Sequence, residues 1–206
     1  MYSIRKDQLS DEIINIFELN NENSLYPQPV VFGGTIRTAN DEATLISAIA
    51  ASSTGDVVNL TADITLTSTL VIDKSIKIDG SFILQSSGGV GDPVTLISVT
   101  ANNVYITSNV TIKHLKTTNT SVEVAVSVNA TGFVSYATVE FMELGYALAG
   151  SFRIEGSTTY TGALANSHRH IRFISISAPS IVNNLTYDFP YEATPVSNIF
   201  FNEGLV

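Results

Sequence analysis

The chain has 206 residues, 44% of them hydrophobic and only 14% charged, which is material for one large domain or a domain plus an arm and excludes a disordered tail. With 10 Lys and Arg against 19 Asp and Glu the net charge is −9, so phosphate backbones and acidic lipid are repelled and nucleic acid is excluded as a partner. Zero cysteines close off disulfides, thiolate nucleophiles and Cys-based metal sites. A typical soluble domain is about one quarter charged; a chain this poor in charge, with a mean hydropathy of +0.23, is expected to reserve surface for other subunits. The opening residues, MYSIRKD, carry two positive charges with no apolar run behind them, and no stretch has the length to span a bilayer. Neither a secretory signal nor membrane insertion is expected.

Residues 7–19, DQLSDEIINIFEL, place Leu9, Ile13, Ile16 and Phe17 on one helical face, with Asp7 as N-cap and Asp11 and Glu12 near the positive end. A helix this short needs a partner for its apolar face. The polar, Pro-containing stretch NNENSLYPQP at 20–29 separates it from the body as a linker. Residues 1–29 are thus an arm, which either folds back on its own domain or docks on a neighbour. A second helix is predicted over 41–51, capped by Asn40, with Leu45, Ile46 and Ile49 sharing a face. It belongs to a capping segment at 30–56.

From Asp56 the pattern changes to period two: Val58 and Leu60, Ile64 and Leu66, Leu70 and Ile72, Ile76 and Ile78. Stretches at 57–80, 94–116, 122–145 and 170–189 share short alternating strands broken by Asn, Ser, Thr and Gly corners. Such strands, with no second helical layer to cover an open sheet, can stack as a solenoid over 57–206. The combination DEATLISAIAASSTGDVVNL, followed by ITLTSTLVIDKSIKIDG, resembles the N-terminal cap and first coils of right-handed parallel β-helix proteins of the pectin-lyase-like class. The resemblance implies an all-β solenoid whose helix covers the open end of the stack. That class includes polysaccharide lyases and hydrolases, adhesins and virus tail spikes, so the fold alone does not choose a function.

Carbohydrate chemistry on such a face needs carboxylates brought together from adjacent coils. Asp73, Lys77 and Asp79 are read as sharing an outward parity on one strand, but the next coil has no acid between Asp92 and Glu123 and offers only Lys113, His114 and Lys116. Glu140, Glu143, Arg153 and Glu155 read as solvated or subunit-facing positions, and no catalytic residue and no cofactor is expected. His168 and His170 alternate onto one strand face and are the weak candidates for a shared metal, with no third ligand evident. The turn SSGGVGDP at 86–93 lacks the ending of a phosphate loop and reads as a corner. The aromatic tail, with Tyr187, Phe189, Tyr191, Phe200 and Phe201, reads as closure of the last coil.

Together with the resemblance, these features lead to the expectation of a structural virion protein of a tailed bacteriophage: a spike, fibre or head-decoration subunit. It would be made in a host cytoplasm, be homotrimeric, be attached to other virion proteins through Leu9, Ile13, Ile16 and Phe17 of the arm, and have a host surface glycan as its outer ligand. A carbohydrate-active enzyme and a bacterial surface adhesin module are the alternative readings.

Overall fold

The computed structural model describes residues 31–89, 91–115, 123–161, 169–176, 180–182, 186–188 and 199–201. The arm helix expected at 7–19 lies outside them. The alternating segments become strands, and all of them pair in parallel. One sheet holds β1 (Ile36–Ala39), β2 (Val57–Leu60), β4 (Leu70–Ile72), β5 (Lys77–Asp79), β7 (Thr95–Val99), β8 (Tyr105–Ile106), β10 (Val124–Ser135), β12 (Leu144–Ile154), β14 (Arg169–Ile176), β15 (Ile181–Val182) and β17 (Ile199–Phe201). The other runs β16 (Thr186–Asp188), β13 (Ser157–Tyr160), β11 (Thr138–Phe141), β9 (Thr111–His114), β6 (Ile83–Ser86) and β3 (Ile64–Leu66). Neither sheet closes on itself. The fold is all-β with parallel sheets and, among the described residues, one helix. That helix is too short to cross a membrane.

The register explains why the sequence repeats without an exact period. Val57 pairs with Lys77, Lys77 with Tyr105, Tyr105 with Val134 and Val134 with Arg153, at intervals of 20, 28, 29 and 19 residues. The connections vary while the paired positions stay aligned. Three inward columns follow: Val58, Ile78, Ile106, Ser135 and Ile154; Ile64, Leu84, Ile112, Val139 and Thr158; Leu70, Ile97, Val126, Tyr146 and Ile171. All of these residues are buried, and all but the polar Ser135 and Thr158 belong to one apolar cluster. Each buried aliphatic contributes about 1.5–3 kcal/mol, and the β-branched shape of the Val and Ile members suits the pleat.

The long strands β10 and β12 merge paths that are separate earlier in the chain. The first part of β10 pairs with β7 and its last residues with β8. Between Ala130 and Phe133 its register against β12 shifts by a bulge, where Gly132 takes φ +75° and its N–H donates to Ser151 Oγ at 2.9 Å. Gly150, at φ +87°, lies so close to the Ala130 carbonyl that any Cβ would strike it.

The helix α1 (Glu42–Ala51) packs on β1, β2 and β3. Its N-cap is Asp41, not Asn40 as the sequence suggests. The Asp41 carboxylate accepts from Thr44 N–H at 2.7 Å while Thr44 Oγ1 accepts from Asp41 N–H at 3.1 Å, a reciprocal cap that one residue earlier does not permit. The buried face is Leu45, Ala48 and Ile49. Ile46, expected with them, is 47% exposed, because 100° of helical turn separates it from Leu45.

Two carboxylates fix this end. Asp56 is buried and accepts from Thr35 N–H at 2.7 Å, Ser53 N–H at 2.9 Å and Arg37 Nη2 at 3.4 Å. The Ser53 and Thr35 amides, aided by Arg37, hold its carboxyl below the ordinary carboxylate range against the opposing effect of burial. Glu42 reaches across to Thr67 and Ser68 and takes both backbone N–H groups and both hydroxyls at 2.7–3.0 Å. Burial pushes its carboxyl up, but these four bonds outweigh that and hold it low.

Two predictions follow from the fold. Gly150→Ala is expected to destabilise by at least about 2 kcal/mol in chemical denaturation, whereas Gly33→Ala, whose Cβ meets nothing within 4 Å, stays near wild type. Because the folded carboxyls of Asp56 and Glu42 are depressed, the unfolded chain binds protons first. Their contribution is complete above the unfolded values, about pH 4, and is lost as pH falls through the lower folded ones. The double variant Asp56→Asn, Glu42→Gln should therefore be less stable at pH 7 and lose less on acidification between about pH 5 and 2, read from melting temperatures.

Candidate functional site

The outer surface of the larger sheet carries an aromatic strip bounded by ion pairs. Outward positions alternate with the buried column: Lys77 and Asp79 on β5 flank Ile78, Tyr105 precedes Ile106, and Arg153 and Glu155 flank Ile154. The segment before β1 crosses this face and lays Phe32 over it. The Phe32 and Tyr105 ring centroids are 5.9 Å apart and those of Tyr105 and Tyr136 5.6 Å, at tilts of 46° and 51°, within the range of favourable aromatic contacts. Beside Phe32, a cleft of about 450 Å³ is lined by Gly34, Ile36, Val57, Asn59, Lys77 and Asp79.

Lys77 Nζ meets Asp79 Oδ2 at 2.8 Å, while Asp79 Oδ1 accepts from Gly80 N–H and Thr107 Oγ1 at 2.9 Å each. Burial works upward on Asp79, but the bonds from Lys77, Gly80 and Thr107 hold its carboxyl below the usual range. At the other end Arg153 Nη2 meets Glu155 Oε1 at 2.6 Å. That bond, helped by the neighbouring tyrosines, keeps the guanidinium charged beyond its ordinary range. Tyr105 is pushed up by burial first, then by Tyr136 and Asp79, so its phenol stays protonated and able to donate. Rings beside fixed donors and acceptors make a face that takes C–H groups on the strip and polar groups on its margins.

The sequence-derived candidates separate in space. Asp73 is not on the strand of Lys77 and Asp79: β4 ends at Ile72, a corner intervenes, and β4 and β5 pair with different neighbours. Lys77 with Asp79 and Arg153 with Glu155 do form the pairs that alternation places together. Glu140 faces out from the smaller sheet and meets Lys113 Nζ at 2.9 Å, its register partner on β9. Glu143 is buried rather than solvated, as is Glu123 just before β10; the two precede the paired Leu144 and Val124. Their corner turns inward where the alternation of strands stops. His168 lies outside the described residues, and His170 is placed only by its backbone on β14. No cluster of three or more His, Asp or Glu suited to a metal occurs among the described residues. Of the tail, Tyr187 falls in β16 and Phe200 and Phe201 in β17, while Phe189 and Tyr191 lie outside the described residues. Ser87 and Gly88 hydrogen-bond to Asp92 at 2.6 and 2.7 Å, making the glycine-rich turn a corner between β6 and β7.

Sequence reasoning also missed polar groups inside, His114 and Tyr146 among them. His114, taken with Lys113 and Lys116 as a basic group, points inward at 2% exposure, with Nε2 3.2 Å from the Val94 carbonyl and Nδ1 3.3 Å from Ser86 Oγ. The carbonyl only accepts, so Nε2 carries a proton. Tyr146 is buried with its hydroxyl 3.0 Å from Ser135 Oγ, and burial drives its phenol far up despite that bond. Strict alternation from Ile112 and Leu144 was the available signal.

The chain matches no protein-family model, no curated protein and no solved structure. The strip therefore has to be interpreted from its own chemistry. Tyr105 is expected to ionise above a free tyrosine in an alkaline absorbance titration, and Asp79→Asn should bring that step back toward pH 10 by removing a nearby negative charge. An unchanged titration in the variant would refute this electrostatic link.

Proposed function

We propose that the strands wind as a right-handed parallel β-helix and that the chain is a structural subunit of a tailed-bacteriophage virion: a spike, fibre or head-decoration protein. What carries the reading is the three-column stack, in which each strand of the smaller sheet falls in sequence between strands of the larger one and strands pair with the strand one circuit earlier. Right-handed crossovers are the strong rule for parallel connections, and such a stack is a spacer whose length follows from the number of circuits.

The subunit assembles as a homotrimer, and the arm residues Leu9, Ile13, Ile16 and Phe17 dock on other virion proteins. Low charge supports association, since side surface with few ionised groups is inexpensive to bury between copies. The strip of Phe32, Tyr105 and Tyr136 is the face offered outward, and a host surface glycan fits its mixture of rings and fixed polar groups.

Analytical sedimentation of the full chain is expected to give a trimer; a stable species of 22.1 kDa at micromolar concentration would remove the oligomer. Deleting residues 1–29 should leave the stack folded by circular dichroism and abolish incorporation into particles. Unchanged incorporation would end the anchoring role.

A further inference from the structure

The cap helix leaves an apolar groove on its outer side. Ile46, Ile49 and Ala50 of α1 form one wall, Thr69 and Val71 beside and on β4 form the other, and Asp73 and Lys74 close the end, around about 320 Å³. Ile46 and Val71 are 47% and 49% exposed. Two large aliphatics facing one another across a groove, each half bare, mark a surface that gains from a cover.

We infer that this groove receives the apolar face of residues 7–19 of the same chain, Leu9, Ile13, Ile16 and Phe17. The Val31 carbonyl oxygen lies 3.8 Å from where a Gly55 Cβ would stand, and Gly55 N–H donates to Ser75 O at 2.8 Å. Ser75 directly follows Lys74, so the described chain begins beside the closed end of the groove. The residues from 20 to 30 extend over roughly 35–40 Å, while a helix over 7–19 is about 20 Å long, so the arm can turn back along the groove without strain.

A helix over 7–19, as the sequence predicts, is too short to persist without packing, and its face of residues at i, i+4, i+7 and i+8 matches a two-walled trough. Tethering raises its local concentration to about millimolar, so modest contact area suffices. Val71 and Ile46 lie at the margin of the core, which lets the groove bind the arm without disturbing the columns beneath. The inference goes beyond the virion reading and does not depend on it. The apolar face is single, so a docked arm has to leave the groove before it can bind another protein.

Hydrogen exchange on the full chain tests the docking. Backbone amides of residues 9–17 should exchange at least tenfold more slowly than a free peptide of that sequence, and the protection should disappear in Val71→Glu and in Ile46→Glu, with β-strand amides unchanged. Amides unprotected in the wild type, or equally protected in both variants, would overturn the inference. The absence of native cysteine allows a second measurement that identifies whose arm is bound. Val71→Cys or Ile46→Cys is combined with Ile13→Cys or Phe17→Cys, oxidised mildly and run on a non-reducing gel, with Asn15→Cys on the opposite helical face as control. A disulfide within one chain, forming at least tenfold faster than in the control, is the expected result; disulfides between chains would show that the groove serves a second copy and overturn the assignment. Both measurements use isolated protein, so a failure of particle incorporation leaves them unaffected.

Discussion

The structure depends on keeping parallel strands in register while the links between them vary in length. Because side chains alternate strictly, a slip of one residue would send Val58, Ile78, Ile106 and Ile154 to solvent and bring Lys77, Asp79 and Arg153 inside. The apolar columns resist that slip together, since each residue is covered by those one rung above and below. The 19- to 29-residue intervals can then differ freely, as lengthening a surface connection costs little entropy compared with moving a whole buried strand.

Polar groups within the stack sharpen the same constraint. Ser135 sits in a column of aliphatics, where a hydroxyl is tolerated because Tyr146 from another column meets it at 3.0 Å. Any shift of β10 against β12 would part the two and leave both buried without their bond. His114 acts similarly, held between Ser86 at the end of the paired strand β6 and the Val94 carbonyl just before β7. Such pairs add less stability than an apolar contact of equal size, but they penalise wrong alignments more heavily.

This division between columns and connections also governs what the sequence makes legible. The period-two runs disclose the strands, and alternation within a run places Lys77 with Asp79 and Arg153 with Glu155. It does not disclose which run lies beside which, because the intervals are irregular; hence Lys113 with Glu140, and the strip of Phe32, Tyr105 and Tyr136, emerge only in three dimensions. Asp73 reads as part of the strand of Lys77 and Asp79 because a corner of a few polar residues looks like continued alternation. The helix was legible through its caps, but its facing was blurred: Leu45, Ile46 and Ile49 are all apolar, and Ala48, the smaller residue, takes the buried place. Glu143 has no signal of its own, as a corner residue's burial depends on what surrounds the corner.

The outward ion pairs illustrate why surface composition speaks to purpose more than to stability. Lys77–Asp79, Lys113–Glu140 and Arg153–Glu155 all have at least one partner between 25% and 36% exposed, where solvent screening leaves a pair worth about 0–1 kcal/mol. They therefore contribute little to the fold, which the columns already secure. Their effect is on the faces they occupy: cations are set against carboxylates at short range, so a chain of net charge −9 presents locally balanced, hydrogen-bonding surface, which Lys77–Asp79 and Arg153–Glu155 supply beside the tyrosine rings. A neutral partner meets no long-range field there and finds donors and acceptors already held in place, which reduces the ordering cost of binding. A polyanion gains nothing there from cations that are already engaged with carboxylates of their own.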